Sequence, residues 1–233
     1  MPKKSRLAAG VAVAGACALL AACSPVKTGA AAIVGNDRIT SSSLDSQVSN
    51  LQQTIAQYGG SHIAAGQYPQ HVLGWLVTFE IRDETARANG ITVSQSDIDS
   101  EISQINASAQ ASAEQQGATY PGLTVLLAQY YGLPPNLENA FGQWEAQELA
   151  FVVKKNGGKV PTTNSAVVQQ AVNQFSTAEC QAVKTLNIQV NPQYGQLSFD
   201  KTNGFYTVIA GSDTLSAAGG KKPVITTPYL PAC

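Results

Sequence analysis

The side chains able to do chemistry in this chain are few, and the most telling is a thiol. Four cysteines are present. Cys23 follows Leu20-Ala21-Ala22 directly. Ahead of that tetrad come Lys3, Lys4 and Arg6, then an apolar run from Leu7 to Leu20 with no charge. This is the charged and apolar layout of a secretory signal, too short and wrongly flanked for a membrane-spanning helix. Small residues at Ala21 and Ala22 admit a signal peptidase, and Cys23 then becomes the first residue, offering sulfur and a new amine to acylation. An ordinary cleaved signal with a chance thiol is the plainer alternative, and Cys17 after Gly15-Ala16 is a rival site with a shorter apolar run.

Leu20-Ala21-Ala22-Cys23 resembles a bacterial lipobox. The resemblance implies a diacylglyceryl thioether on Cys23, cleavage after residue 22 and a membrane tether outside the cytoplasm. Each buried methylene adds about 0.8 kcal/mol, so two or three acyl chains anchor a protein almost permanently. Cys180 and Cys233 then remain. In an oxidising compartment an even pair points to a disulfide, with two free thiols as the alternative. Neither lies in a Cys-x-x-Cys pattern, which argues against redox catalysis.

His62 and His71 stand nine residues apart, without a cysteine or paired carboxylates at ligand spacing, so no metal is expected. Asp97, Asp99 and Glu101 open a helix, where carboxylates answer the helix dipole without catalytic purpose. Asp83-Glu84 sits near another helix end. No nucleophile elbow, phosphate loop, calcium loop or zinc motif is present, so neither a catalytic residue nor a cofactor is expected. The aromatic set Tyr120, Tyr130, Tyr131, Phe141 and Trp144 is more suggestive. At helical spacing such residues mostly serve the core, but those at its edge can line a groove for apolar side chains of a peptide.

Charge narrows the partners. The leader holds three of the 14 basic residues and no acid, so 11 basic side chains face 15 acidic ones beyond it, a net charge of −4. Nucleic acid, which demands clustered Lys and Arg, is disfavoured.

The elements that position these residues are mostly helical. Residues 1–22 read as leader and 23–29 as tether. Ala30–Val34 reads as a short strand, with a turn at Gly35-Asn36-Asp37 and then Arg38-Ile39. Thr40 caps a first helix with Leu44, Val48, Leu51, Ile55 and Tyr58 on one stripe, ended by Gly59-Gly60. A second helix begins near Pro69 and stops at Asn89-Gly90. Val93, Ser94, Asp97 and Ile98 spell a staple and capping box for a third, followed by a polar stretch to Gly117. Pro121 opens a fourth that stops at Gly132, and Pro134-Pro135 a fifth through Phe151. A sixth is expected from about Ser165 to Ala178. Leu186–Val190 alternates with period two. Leu197–Phe199 and Phe205–Ile209 flank a turn at residues 200–204 and read as a β-hairpin. Residues 216–233 form a tail. A lone strand cannot stand by itself, so Ala30–Val34 is expected to pair with the C-terminal strands, closing a mainly α domain over residues 30–215.

This order is similar to the N-terminal chaperone domain of SurA-type foldases, a family that includes PrsA-like proteins. The residues carrying the resemblance are Ala31-Ala32-Ile33-Val34-Gly35-Asn36-Asp37-Arg38-Ile39-Thr40 with Leu44-Asp45, and Glu84-Thr85-Ala86-Arg87-Ala88-Asn89-Gly90-Ile91-Thr92-Val93-Ser94. Val190-Asn191-Pro192-Gln193-Tyr194-Gly195 resembles the closing strand of actinobacterial lipoprotein relatives. Many relatives carry a parvulin-type prolyl isomerase domain between the helices and the closing strands. Here only about 30 residues, Asn156 to Thr185, fill that interval, which leaves no room for one. The resemblance therefore implies a membrane-anchored chaperone-like lipoprotein binding unfolded or exported polypeptides, without its own catalytic site. A dedicated assembly or structural lipoprotein with one envelope partner is the alternative, and residual isomerase activity a more distant one.

Overall fold

The computed structural model describes residues 28–61, 63–161, 166–200 and 205–209. The expected leader, tether residues 23–27 with Cys23, His62, Cys233 and the tail lie outside the described residues. The described chain runs β1 (Ala30–Val34), β2 (Asp37–Thr40), α1 (Ser41–Tyr58), α2 (Tyr68–Ala88), α3 (Gln95–Gln115), α4 (Leu123–Leu126), α5 (Glu138–Lys155), α6 (Ala166–Thr185), β3 (Ile188–Val190), β4 (Gln196–Asp200) and β5 (Phe205–Ile209). It is a mainly helical fold with a small antiparallel sheet, as the sequence predicts. Among the described residues no helix is long and apolar enough to cross a membrane.

The sheet is built differently from the expectation. Its order is β2-β1-β3, while β4 and β5 form a separate two-stranded sheet. Asp37–Thr40, read as part of a turn and a dipeptide, pairs with β1 across the two-residue turn Gly35-Asn36. Gly35 has φ +59, a left-handed conformation that glycine adopts without steric cost. With β2 on one edge, β1 needs only one further strand. It takes β3, with Ala32 opposite Val190 and Val34 opposite Ile188. Asn191 completes the closure. Its backbone N–H donates to the Ala31 carbonyl at 2.8 Å, and its side-chain amide to the Ala30 carbonyl at 2.9 Å. The C-terminal hairpin exists as read, but β5 lies on α2, where Val208 is fully buried.

The helices start where local chemistry starts them. Thr40 accepts from the backbone N–H of Ser43, and Gly59 closes α1. Ser94 and Asp97 form the complete reciprocal capping box of α3. The fourth helix is shorter than the periodicity suggests. After Leu126 the chain widens into a π-helical turn, Leu127–Tyr131, and stops at left-handed Gly132. The sixth runs two turns past Ala178, to Thr185.

Central to the packing is α2. With Leu44, Leu51, Val72, Leu73, Val77 and Ile81 it makes a core beneath the sheet. A second cluster gathers Trp75 and Phe79 of α2 with Leu123, Leu127, Leu133, Phe141 and Trp144. A third joins Ala86 and Ile91 to Phe151 and Phe175.

Candidate functional site

The π-helical turn is the feature that organises the aromatic end. Its last residue, Tyr131, offers a carbonyl that accepts from two side chains of α2. His71 Nε2 lies 2.6 Å away and Trp75 Nε1 donates at 2.9 Å. Both donors sit one turn apart on α2, so the helix grips the turn by its end. Gly132 must follow. A Cβ there would stand 2.0 Å from Ile63 Cδ1 and 2.8 Å from His71 Nε2. On the other side Gln129 Nε2 donates to the carbonyls of Tyr58 and Gly59, at 3.3 and 3.0 Å, and ties the turn to the end of α1.

So held, the turn leaves Tyr130 66% and Tyr131 44% exposed. Tyr58, at the tied end of α1, is 51% exposed. Directly below them lies a packed aromatic floor. The Tyr131 ring sits 6.3 Å from Phe141, which stacks on Trp144 at 5.7 Å, and Trp75 meets both edge-on at 6.1 and 6.5 Å. Phe141 and Trp144 are buried. They form the foundation of the surface, buried among α2, α3 and the segment from Leu123 to Leu137. Tyr120 is half-buried and donates its hydroxyl to Asn106 at 2.8 Å, joining the middle of α3 to the same cluster. Of the five aromatic candidates, the structure therefore presents Tyr130 and Tyr131 to solvent and uses the rest as support.

His71 is a buried core residue whose Nε2 is paired with the Tyr131 carbonyl and whose Nδ1 has no hydrogen-bond partner among the described residues. Burial lowers its pKa to about 4, against the smaller opposing pull of the Tyr131 carbonyl. It is neutral at physiological pH and donates from Nε2. Among the described residues no group of three or more His, Cys, Asp or Glu side chains could hold a metal ion.

A charged constellation under the aromatic floor escapes a reading by motif. Arg82 of α2 is buried, its Nε donating to Glu179 of α6 and its Nη1 to Glu148 of α5 at 3.3 Å and to the Trp144 carbonyl at 3.0 Å. Its guanidinium lies 4.2 Å over the Trp144 ring and 4.9 Å over Phe175. Burial outweighs the attraction of Arg82 and holds the Glu179 carboxyl above its usual range. One residue thus binds three helices. Its signal in the sequence is a charge on a buried stripe: Ala171, Phe175 and Glu179 fall at spacings of four on the inner face of α6. Beside it, burial and then Glu148 raise Glu145 to about 7. Glu80 on α2 is also raised to about 7, first by burial and then by Asp37 and Asp83. Gln143 and Gln147 of α5 both donate to Asp83, at 2.8 and 2.6 Å, another polar tie between α2 and α5.

Cys180 is buried on α6. Its expected partner, Cys233, is outside the described residues.

Comparison with known families fits this architecture. Residues 8–120 match the family model described as the SurA-like N-terminal domain, just under half of the 233-residue chain. Within the described part, the match takes in β1, β2 and the three helices from α1 to α3, whose central member grips the exposed tyrosine turn. No curated protein sequence matches the chain. With strand, turn, capped helices and family match in agreement, residues 8–120 are similar to a SurA-like N-terminal domain.

Proposed function

We propose that this is a lipid-anchored lipoprotein on the extracytoplasmic face of the cell membrane that shields unfolded or exported polypeptides without a catalytic site. The SurA-like match carries the reading. Its location rests on the lipobox-like Leu20-Ala21-Ala22-Cys23 after a basic, then apolar leader. Its contact surface is the tyrosine turn, with Tyr130 and Tyr131 reversibly covering apolar side chains of a client. An exposed aromatic on a rigid, buried foundation binds with little loss of conformational entropy.

In this reading Cys180, buried on α6, is one half of a disulfide. If Cys23 is acylated and residues 1–22 are removed, Cys233 is its remaining partner in the chain. That supports a Cys180–Cys233 bridge.

Aggregation of an exported client is the test, followed by light scattering with and without the full acylated chain in detergent micelles. Suppression at stoichiometric protein, weakened by Tyr130→Ser, is expected. No suppression at excess protein overturns the holdase reading. Isolation of one stoichiometric envelope partner in its place would make this a dedicated assembly factor. Lipidation is read from the mass of the N-terminal peptide, and an unmodified Cys23 would remove the anchor.

A further inference from the structure

Between Glu148 and Glu179 the chain holds three lysines and no carboxylate. Both glutamates turn inward to Arg82, so the surface they bracket is basic in a chain that is otherwise acidic. Lys154, Lys155 and Lys159 are all exposed. They gather where α5 ends and the chain turns toward α6.

That turn is a built structure. The backbone N–H groups of Asn156 and Gly158 donate to the Val152 and Val153 carbonyls, both at 2.9 Å. Asn156 Nδ2 donates to the Lys159 carbonyl at 2.8 Å. Gly157 and Gly158 take left-handed φ values of +68 and +82, and nothing lies within 4 Å of a Cβ placed on either. The reversal throws Lys159 and Val160 outward. Val160 is 74% exposed, the most open of the large apolar side chains among the described residues, and Val167 in the first turn of α6 is exposed as well. At the base, Lys155 Nζ sits 5.0 Å over the Phe151 ring. Lys154 Nζ donates to the carbonyls of Asn89 and Gly90, at 2.8 and 3.3 Å.

The result is a convex spur with an apolar tip and a basic collar. A polypeptide is held by a groove or a free strand edge, and a spur offers neither. A bilayer surface takes in a small apolar tip at the boundary of headgroups and acyl chains, while anionic headgroups draw the lysines.

We propose that the spur Lys154–Val160 docks on an anionic lipid surface, with the lysines on the headgroups and Val160 entering the interface. The inference rests on the membrane location proposed above, although its recognition chemistry needs no acyl anchor. It also sets the posture of the domain. Lys154 ties the spur to the end of α2, whereas His71 and Trp75 grip the tyrosine turn near its start. From Trp75 to Asn89 the helix rises about 21 Å. A domain standing on its spur keeps Tyr130 and Tyr131 clear of the bilayer.

Val160→Trp in the full chain provides the test, because the native Trp75 and Trp144 are buried and give a fixed background. The chain is mixed with vesicles of brominated phosphatidylcholine, alone or with phosphatidylglycerol. The new indole should be quenched on the anionic vesicles and not on the neutral ones. Gln104→Trp, exposed on α3, should be quenched on neither. Lys155→Gln with Lys159→Gln should weaken the contact about thirtyfold, and added salt should weaken it in the same sense. Sedimentation reads the anchor separately. A chain that pellets with both vesicles but shows no quenching on the anionic ones would overturn the spur and leave the anchor. Quenching on anionic vesicles, by a chain that does not pellet with neutral ones, would overturn the anchor and leave the spur. Equal quenching on both would remove the role of the lysines and overturn the proposal. So would a response of the new indole to polyglutamate and not to vesicles, which would assign the spur to an acidic polypeptide.

Discussion

Helices α2 and α3 are each 21 residues long, and they hold their places in opposite ways. Thirteen residues of α2 are buried, including His71, Thr78, Arg82 and Thr85, while α3 buries Ile98 alone. The first is stabilised by tertiary contact on every side. The second depends on its own start signal and on one narrow seam. A helix embedded all round can carry polar side chains inward, provided each finds a partner. A helix on the rim needs its cap. The tyrosine turn belongs to the embedded kind, since α2 holds it through the Tyr131 carbonyl.

The comparison predicts where damage is greatest. Arg82→Leu should unfold the most, because it leaves Glu179 buried without its cation. Breaking a buried pair from one side costs about 3–5 kcal/mol. Chemical denaturation should show that loss, and Arg82→Leu with Glu179→Leu should recover part of it. Failure of the double variant to recover would mean that the guanidinium's packing between Trp144 and Phe175 matters more than the pairing.

Gly142→Ala comes next, at the seam where α5 meets α3. The added Cβ would lie 2.5 Å from Ile102 Cγ1 and 3.2 Å from Ile98 Cγ2. Overpacking of this kind costs about 1–3 kcal/mol. Hydrogen exchange should quicken first in α3, leaving α2 protected. Equal loss in both helices would erase the distinction between them. Ser94→Ala should cost about 1 kcal/mol by removing the capping box, with fraying confined to the first turn of α3.

A pH effect should run in an unusual direction. Glu80 and Glu145 are raised from 4.5 to about 7 by burial first. The folded state then binds these protons more tightly than the unfolded chain does. Its advantage is complete below pH 4.5 and is lost as pH rises through about 7. The melting temperature should therefore be higher at pH 5 than at pH 8, with Glu145→Gln flattening the difference. The least change in stability is expected for Tyr130→Ser, within about 0.5 kcal/mol. Client binding should fall all the same, which separates a surface made for contact from one made for folding.

How far the sequence could be read follows from the same physics. Features set by a few adjacent residues were legible: the Thr40 and Ser94 caps, the Gly59 stop, and the hairpin before Ile209. Features set by distant partners were not. Arg82 and Glu179 stand 97 positions apart, and neither has a local reason to be charged. Asp37–Thr40 has little strand propensity of its own and becomes a strand because β1 lies beside it. The widened turn at 127–131 arises because His71 and Trp75 draw the Tyr131 carbonyl toward α2. Among the aromatics, spacing marked all five residues, and only the fold decides which two face outward.

Pairing of Ala32 with Val190 has a consequence for the order of events in folding. One strand of that pair is synthesised almost at the start of the domain, the other more than 150 residues later. The β1–β2 hairpin can form as soon as its residues exist, but its free edge must wait for nearly the whole domain to be made. Contacts of such long range slow the final step. The domain is a ring that closes last at its first-made strand, so a chain truncated before Val190 would keep its helices and lack the seal.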